Sequence, residues 1–149
     1  MKFEDMINKI ILGDCMNYLK EIPDKSIDLV LTDPPYGINA DKGVGGFGAS
    51  PLTAKKYDND GDDRFHPTQK PYRLISEIIK DYSEENDLIL DAFSESGTVC
   101  CAAKDLKKKF IGFEINEKFY KKSIDRLNGI NSNGQYTIFA YENGENKWY

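Results

Sequence analysis

The stretch with the most chemistry in it is Thr32-Asp33-Pro34-Pro35-Tyr36-Gly37, which directly follows a short apolar run. Two successive prolines hold the backbone extended and so fix the directions in which Asp33 and Tyr36 point. An amino group conjugated to an aromatic ring is a poor nucleophile, because its lone pair is delocalised. Two acceptors that take both N–H hydrogens pull such a nitrogen toward tetrahedral geometry. The Asp33 carboxylate and the Pro34 carbonyl form an acceptor pair of that kind, and the Tyr36 ring offers a flat face on which a base swung out of a duplex can stack. The same residues also read as a capped turn followed by a stiff loop. Three further carboxylates, Asp14, Asp91 and Glu114, each follow an apolar run in the same way.

The elements that must position these groups show in the apolar pattern. Short β-branched runs over Lys9–Leu12, Ile27–Leu31, Leu88–Leu90 and Phe110–Phe113 read as buried strands, each ending in a polar or acidic residue. Carboxylates therefore gather at strand C-terminal ends, the edge at which open parallel sheets bind ligands. Between the strands, Pro71–Tyr82 reads as a helix with Pro71 in its first turn and Leu74, Ile75, Ile78, Ile79 and Tyr82 on one face. Thr98–Leu106, with Ala102, Ala103 and Leu106, and Glu117–Leu127, with Phe119, Tyr120, Ser123, Ile124 and Leu127, read as two more. Only a short helical piece fits between Asp14 and Pro23. Gln135–Tyr141 alternates like a strand, which suggests an added sheet edge or a dimer contact. Residues 38–65 hold no core element, since Ile38, Val44 and Leu52 are their only aliphatics beyond alanine. The pattern is α/β, and 149 residues make one domain the expectation.

Composition removes several function classes. With 20 basic and 25 acidic side chains the formal charge is −5, so the overall field does not attract phosphate and a nucleic-acid partner needs a local basic patch. The basic residues cluster at Lys104, Lys107, Lys108, Lys109, Lys118, Lys121 and Lys122, a solvated helix end or a phosphate contact. Cys15, Cys100, Cys101 and the single His66 have no zinc spacing and read as reduced thiols with a structural histidine, so no metal is expected. No apolar run reaches the roughly 18 residues of a membrane span, and Met1-Lys2-Phe3-Glu4-Asp5 is unlike a signal peptide, so a soluble cytoplasmic protein is expected.

Taken together the motifs resemble the amino-methylating DNA methyltransferases, whose signature is Asp/Asn/Ser-Pro-Pro-Tyr/Phe. Ile11-Leu12-Gly13-Asp14-Cys15, His66-Pro67-Thr68-Gln69-Lys70-Pro71, Leu90-Asp91-Ala92-Phe93-Ser94-Glu95-Ser96-Gly97-Thr98 and Phe110-Ile111-Gly112-Phe113-Glu114 with Phe119-Tyr120 match that family in type and order. Having the Asp33 motif first resembles the circularly permuted β class, and Asp41 to Phe47 with Tyr57-Asp58 resemble phage-type adenine methylases. The resemblance covers residues 9–48 and 64–128. It implies a truncated Rossmann-like methyltransferase sheet with helices on both faces and strands in the family's 3-2-1-4 order, with S-adenosylmethionine as cofactor and double-stranded DNA as partner. Asp33, Pro34, Pro35 and Tyr36 would then be catalytic. Asp91, Phe93, Ser96, Gly97 and Thr98 would hold the methionine end of the cofactor, Glu114 its ribose hydroxyls and Asp14 its adenine amine. Thr68 and Lys70 would neutralise its carboxylate. No general base is required, since the amine can lose its proton to water after methyl transfer.

Two departures stand out. Where the family reads Asp-Pro-Phe-x-Gly-Ser-Gly-Thr, this chain has Ala92 for the proline and Glu95 for the first glycine. A glycine there allows close backbone approach and left-handed torsions, so Glu95 adds bulk and negative charge beside the cofactor. The family also carries several more strands and a target-recognition block where this chain has only residues 38–65. The expectation is an adenine-specific DNA methyltransferase in a single domain over 1–149, with 129–149 as a tail or edge strand. The alternative is a catalytically impaired module that serves a homodimer or a second subunit.

Overall fold

The structure is a computed structural model that describes residues 1–34, 69–129, 139–142 and 145–148. The chain begins with a one-turn helix α1 (Phe3–Met6), strand β1 (Lys9–Leu12), two 3-10 turns (Cys15–Asn17 and Leu19–Glu21) and strand β2 (Leu29–Val30). After residue 68 follow α2 (Tyr72–Tyr82), β3 (Leu88–Asp91), α3 (Thr98–Asp105), β4 (Lys109–Glu114) and α4 (Glu117–Leu127). The sheet order is β1-β4-β3-β2 and every pairing is parallel. Counting from the strand that ends in Asp91, this is the expected 3-2-1-4 order. β2 is shorter than the apolar run predicts, because only Leu29 and Val30 pair with Ile89 and Leu90. The tail strand β5 (Phe139–Glu142) pairs antiparallel with β6 (Glu145–Trp148) as a separate two-stranded sheet. It pairs with β6 and not with the parallel sheet, which corrects the reading of this segment as an edge added to that sheet.

Alternation along β1, β3 and β4 sends apolar side chains to both faces of the sheet, as buried parallel strands require. On one face Ile10, Ile89 and Phe110 pack with Ile75, Ile79, Val99, Cys100, Ala102 and Ala103 of α2 and α3, and Tyr120, Ile124 and Leu127 of α4 close the cluster. On the other, Ile11, Leu88, Leu90, Ile111 and Phe113 meet Met6 and Cys15, covered by Phe3, Tyr18, Leu19 and Ile22. Helices thus lie on both faces, but the second face is roofed by one helical turn and the two 3-10 turns.

The helices follow their sequence signals closely. Pro71 lies at the N-cap position just before α2 and not in its first turn, the buried residues of the helix are Ile75, Ser76 and Ile79, and Tyr82, expected on the same face, is 72% exposed. The Tyr72 hydroxyl donates to Asp105 at 2.7 Å and ties the start of α2 to the end of α3. Every residue of α3 from Thr98 to Ala103 is buried, which suits a helix held between α2, α4 and the sheet. No helix among the described residues is long and apolar enough to cross a membrane.

The carboxyl edge of the sheet as the candidate site

Four parallel strands deliver four carboxylates to one edge. β3 ends in Asp91 and β4 in Glu114, while Asp14 and Asp33 follow β1 and β2. The pairing Asp91↔Gly112 places Glu114 two residues beyond its neighbour, and Leu12↔Glu114 sets β1 beside it. The Leu31 N–H donates to the Leu90 carbonyl at 3.0 Å, which puts Asp33 just past Asp91. The juxtaposition expected of Asp33, Asp91 and Glu114 is therefore present. Pro35, Tyr36, His66 and Thr68, with the 38–65 loop, lie outside the described residues. Large exposed apolar side chains also gather here: Leu12 is 41%, Phe93 36% and Ile115 72% exposed, each at or just past a strand end. Apolar surface beside convergent polar groups is what a ligand cleft presents.

Asp91 is 3% exposed. Its Oδ1 accepts the Thr32 hydroxyl at 2.9 Å and the Phe93 N–H at 3.2 Å. Burial pushes its pKa from 3.8 up to about 7, with the Glu95 and Glu114 carboxylates adding to the rise and the Thr32 and Phe93 bonds opposing it. Glu114 is also buried, and its two oxygens are held by backbone: Oε2 by the Glu95 N–H at 2.8 Å and Oε1 by the Asn116 N–H at 2.6 Å. Each oxygen keeps a further lone pair for a hydroxyl. Asp14 stays exposed and caps the first 3-10 turn, its Oδ1 accepting the Met16 N–H at 2.9 Å.

The loop between β3 and α3 follows β4 closely. The Ser94 N–H donates to the Phe113 carbonyl at 2.7 Å and the Gly97 N–H to the Ser94 carbonyl at 2.6 Å. Gly112 makes this approach feasible, since a Cβ there would lie 2.4 Å from Ser94 Oγ and 2.6 Å from Cys100 Sγ. Glu95 has φ +45°, the left-handed torsion expected of the glycine that it replaces. Ser96 and Thr98 are buried, and their hydroxyls lie 3.0 Å apart. Arg126 of α4 donates to the Ser96 carbonyl at 3.2 Å and to Thr98 Oγ1 at 2.7 Å. The Thr98 hydroxyl therefore faces α4, with the Ser96 hydroxyl beside it.

Lys70, expected to neutralise the cofactor carboxylate, has a partner at this edge. Its ammonium forms an ion pair with Asp33, the residue that opens the Pro-Pro motif. The Lys104–Lys109 run lies at the opposite end of β4 from Glu114. There Lys104 Nζ donates to the Leu127 carbonyl at 2.6 Å and Lys108 Nζ to the Ser83 carbonyl at 3.0 Å, as cations do at helix ends. Sequence reasoning missed Thr32 and Arg126. A polar residue between an apolar run and Asp33 was a signal for Thr32, but Arg126 carried none.

Comparison with known proteins agrees with this geometry. Residues 48–125, more than half of the chain, match the family model described as DNA methylase. The type II methyltransferase M.HindIII of Haemophilus influenzae is 40% identical over 72 residues, 48% of this chain and 23% of that protein. The type II methyltransferase M2.LlaDCHI of Lactococcus lactis subsp. cremoris is 46% identical over 63 residues, 42% of this chain and 23% of its own length. The matched stretch thus spans about a quarter of the length of these curated relatives. In fold, the chain is similar to M1.HpyAVI, with a TM-score of 0.55 at 20% identity over 80% of this chain and 98% of that one. It is also similar to a putative DNA modification methylase from Thermus thermophilus solved with S-adenosyl-L-methionine, with a TM-score of 0.54 at 15% identity over 79% and 93%. A four-stranded parallel sheet in this order, a Pro-Pro motif beyond β2 and a match over more than half the sequence lead to one assignment: the chain belongs to the DNA methylase family, of the N6/N4 type.

Proposed function

We propose that this chain binds S-adenosylmethionine and transfers its methyl group to the exocyclic amine of adenine in double-stranded DNA. The observation that carries the reading is the convergence of Asp33, Asp91 and Glu114 at one sheet edge, joined through Thr32. The donor set fits the cofactor. A carboxylate whose pKa is raised by burial, and further by two like-charged neighbours, is relieved by a cation, and the methionine end would bring an ammonium to Asp91. Glu114 keeps acceptor capacity for ribose hydroxyls, and Leu12, Phe93 and Ile115 give apolar surface around them. Glu95 is the one group that fits poorly, because it sets a second carboxylate beside Asp91.

When bound, the cofactor supplies an electrophilic methyl on a sulfonium. The chain's own residues orient the other reactant. Asp33 and the Pro34 carbonyl take the two amine hydrogens, and Tyr36 would stack on the base outside the helix. Lys70 pairs with Asp33 Oδ2. Once the methyl has moved, the amine proton passes to water. Adenine, and not cytosine, rests on the sequence resemblance of residues 41–58. With DNA as substrate, the chain would work in the cytoplasm.

The test has two stages. Calorimetric titration with S-adenosylmethionine should give saturable heat, and labelled methyl groups should then reach adenine in duplex DNA with the wild type and not with Asp33→Ala. Absence of heat removes the cofactor, and label on cytosine overturns the base assignment.

A further inference from the structure

Thr32 carries the contact that joins the two halves of the edge. We infer that the Thr32 hydroxyl is a positioning residue that sets the Asp33 motif against the Asp91 loop, so that the ionisation of Asp91 and the placement of Asp33 depend on each other. One hydroxyl donates one hydrogen and accepts others. Here the hydrogen goes to Asp91 Oδ1 at 2.9 Å and an acceptor site takes the Phe93 N–H at 3.2 Å. Phe93 N–H is shared with Asp91 Oδ1, so the three groups close a small ring of bonds between β2 and β3. Threonine is stiff at χ1, and the Leu31 N–H to Leu90 carbonyl bond anchors its backbone one residue before. A rigid side chain two residues past the paired strand thus transmits its position to Asp33, the next residue. Elsewhere on β2 the ladder is only Leu29 and Val30. Beyond them the Leu31 bond, the ring and the Lys70–Asp33 ion pair hold the strand end.

Among the described residues, the charged and titratable groups around Asp91 are the Glu95 and Glu114 carboxylates, both raising its pKa, and the Cys100 thiol of α3, itself pushed well above its ordinary value by burial. Loss of the hydroxyl removes a bond that favours the ionised form of Asp91, so the midpoint should climb from about 7. The link to methyl transfer rests on the function proposed above, whereas the link between Thr32, Asp91 and Asp33 does not.

The experiment therefore begins without cofactor. In the wild type, NMR titration of the Asp91 carboxyl should give a midpoint that the amides of Asp33 and Phe93 report as well; an Asp33 amide that does not follow it overturns the inference. Thr32→Val should raise the Asp91 midpoint by about one unit, and Thr32→Ser should restore it. Binding of S-adenosylmethionine is then measured at two pH values. Thr32→Val should weaken it about fivefold at pH 7, where fewer Asp91 side chains are ionised, and less than about twofold at pH 9. A loss of equal size at both pH values means a merely structural role and overturns the inference. Should Thr32→Val fail to fold, the wild-type amide titration and Thr32→Ser decide the matter alone. A chain that shows the coupled titration but binds no cofactor refutes the function proposed above and leaves this inference standing.

Discussion

Replacing Asp91 by asparagine should make the chain more stable and less able to bind its cofactor. The rise of the Asp91 pKa from 3.8 to about 7 corresponds to about 4 kcal/mol of opposition to ionisation in the folded chain. The folded state therefore holds this proton where the unfolded state has released it, between about pH 4 and about pH 7. Stability from this group is intact below that window and is lost as pH rises through it. Asparagine keeps an oxygen to accept the Thr32 hydroxyl and the Phe93 N–H, and it carries no charge to desolvate. The difference between Asp91→Asn and wild type should be small near pH 4 and grow to as much as about 4 kcal/mol by pH 8. Urea unfolding of both proteins at each pH gives that difference directly, with other titrating groups cancelling. At pH 8, S-adenosylmethionine should bind the variant at least about tenfold more weakly, since an ammonium loses a charged partner. A stability difference of equal size at both pH values, or a wild type more stable at pH 8, would refute the argument from burial.

The remaining predictions concern the loop and its neighbours. Glu95→Gly removes both a left-handed non-glycine torsion and a charge, and Glu95→Ala removes the charge alone; both should lower the Asp91 midpoint in an NMR titration. The glycine variant should also exceed the alanine variant in stability by about 1 kcal/mol in denaturant unfolding. Gly112→Ala drives a methyl into Ser94 and Cys100 and should cost about 1–3 kcal/mol in urea unfolding. Lys70→Gln should lower the rate of methyl transfer while leaving cofactor affinity within about threefold, whereas a large affinity loss with unchanged turnover would return Lys70 to the cofactor carboxylate.

Much of this edge was legible because parallel strands buried on both faces read as continuous apolar runs. Lys9–Leu12 was found with its bounds intact, and Leu88–Leu90 and Phe110–Phe113 fell short by a residue or two at their ends. A carboxylate at the end of each run is a local pattern, so Asp91 and Glu114 could be picked from sequence alone. The torsion at Glu95 was legible for another reason: a missing glycine names the conformation that the site demands. What stayed hidden depends on residues far apart in sequence. Thr32 bonds to Asp91 and Arg126 to Thr98 only after three strands and a helix are in register, and no window along the chain contains both partners. α1 went unseen because a single turn has no period to detect. The apolar run Ile27–Leu31 overstated β2, since only Leu29 and Val30 pair in the ladder, and Val30 is exposed despite being apolar.

The ion pair between Lys70 and Asp33 has a topological effect beyond its charge. It clasps the polypeptide at the place where it departs from the sheet and the place where it comes back. With those ends pinned, lengthening the intervening stretch adds only slowly to closure entropy, about 0.6 kcal/mol for each doubling. Evolution can therefore splice in, shorten or exchange the stretch between these two residues while the carboxylate-bearing edge of the sheet stays in place.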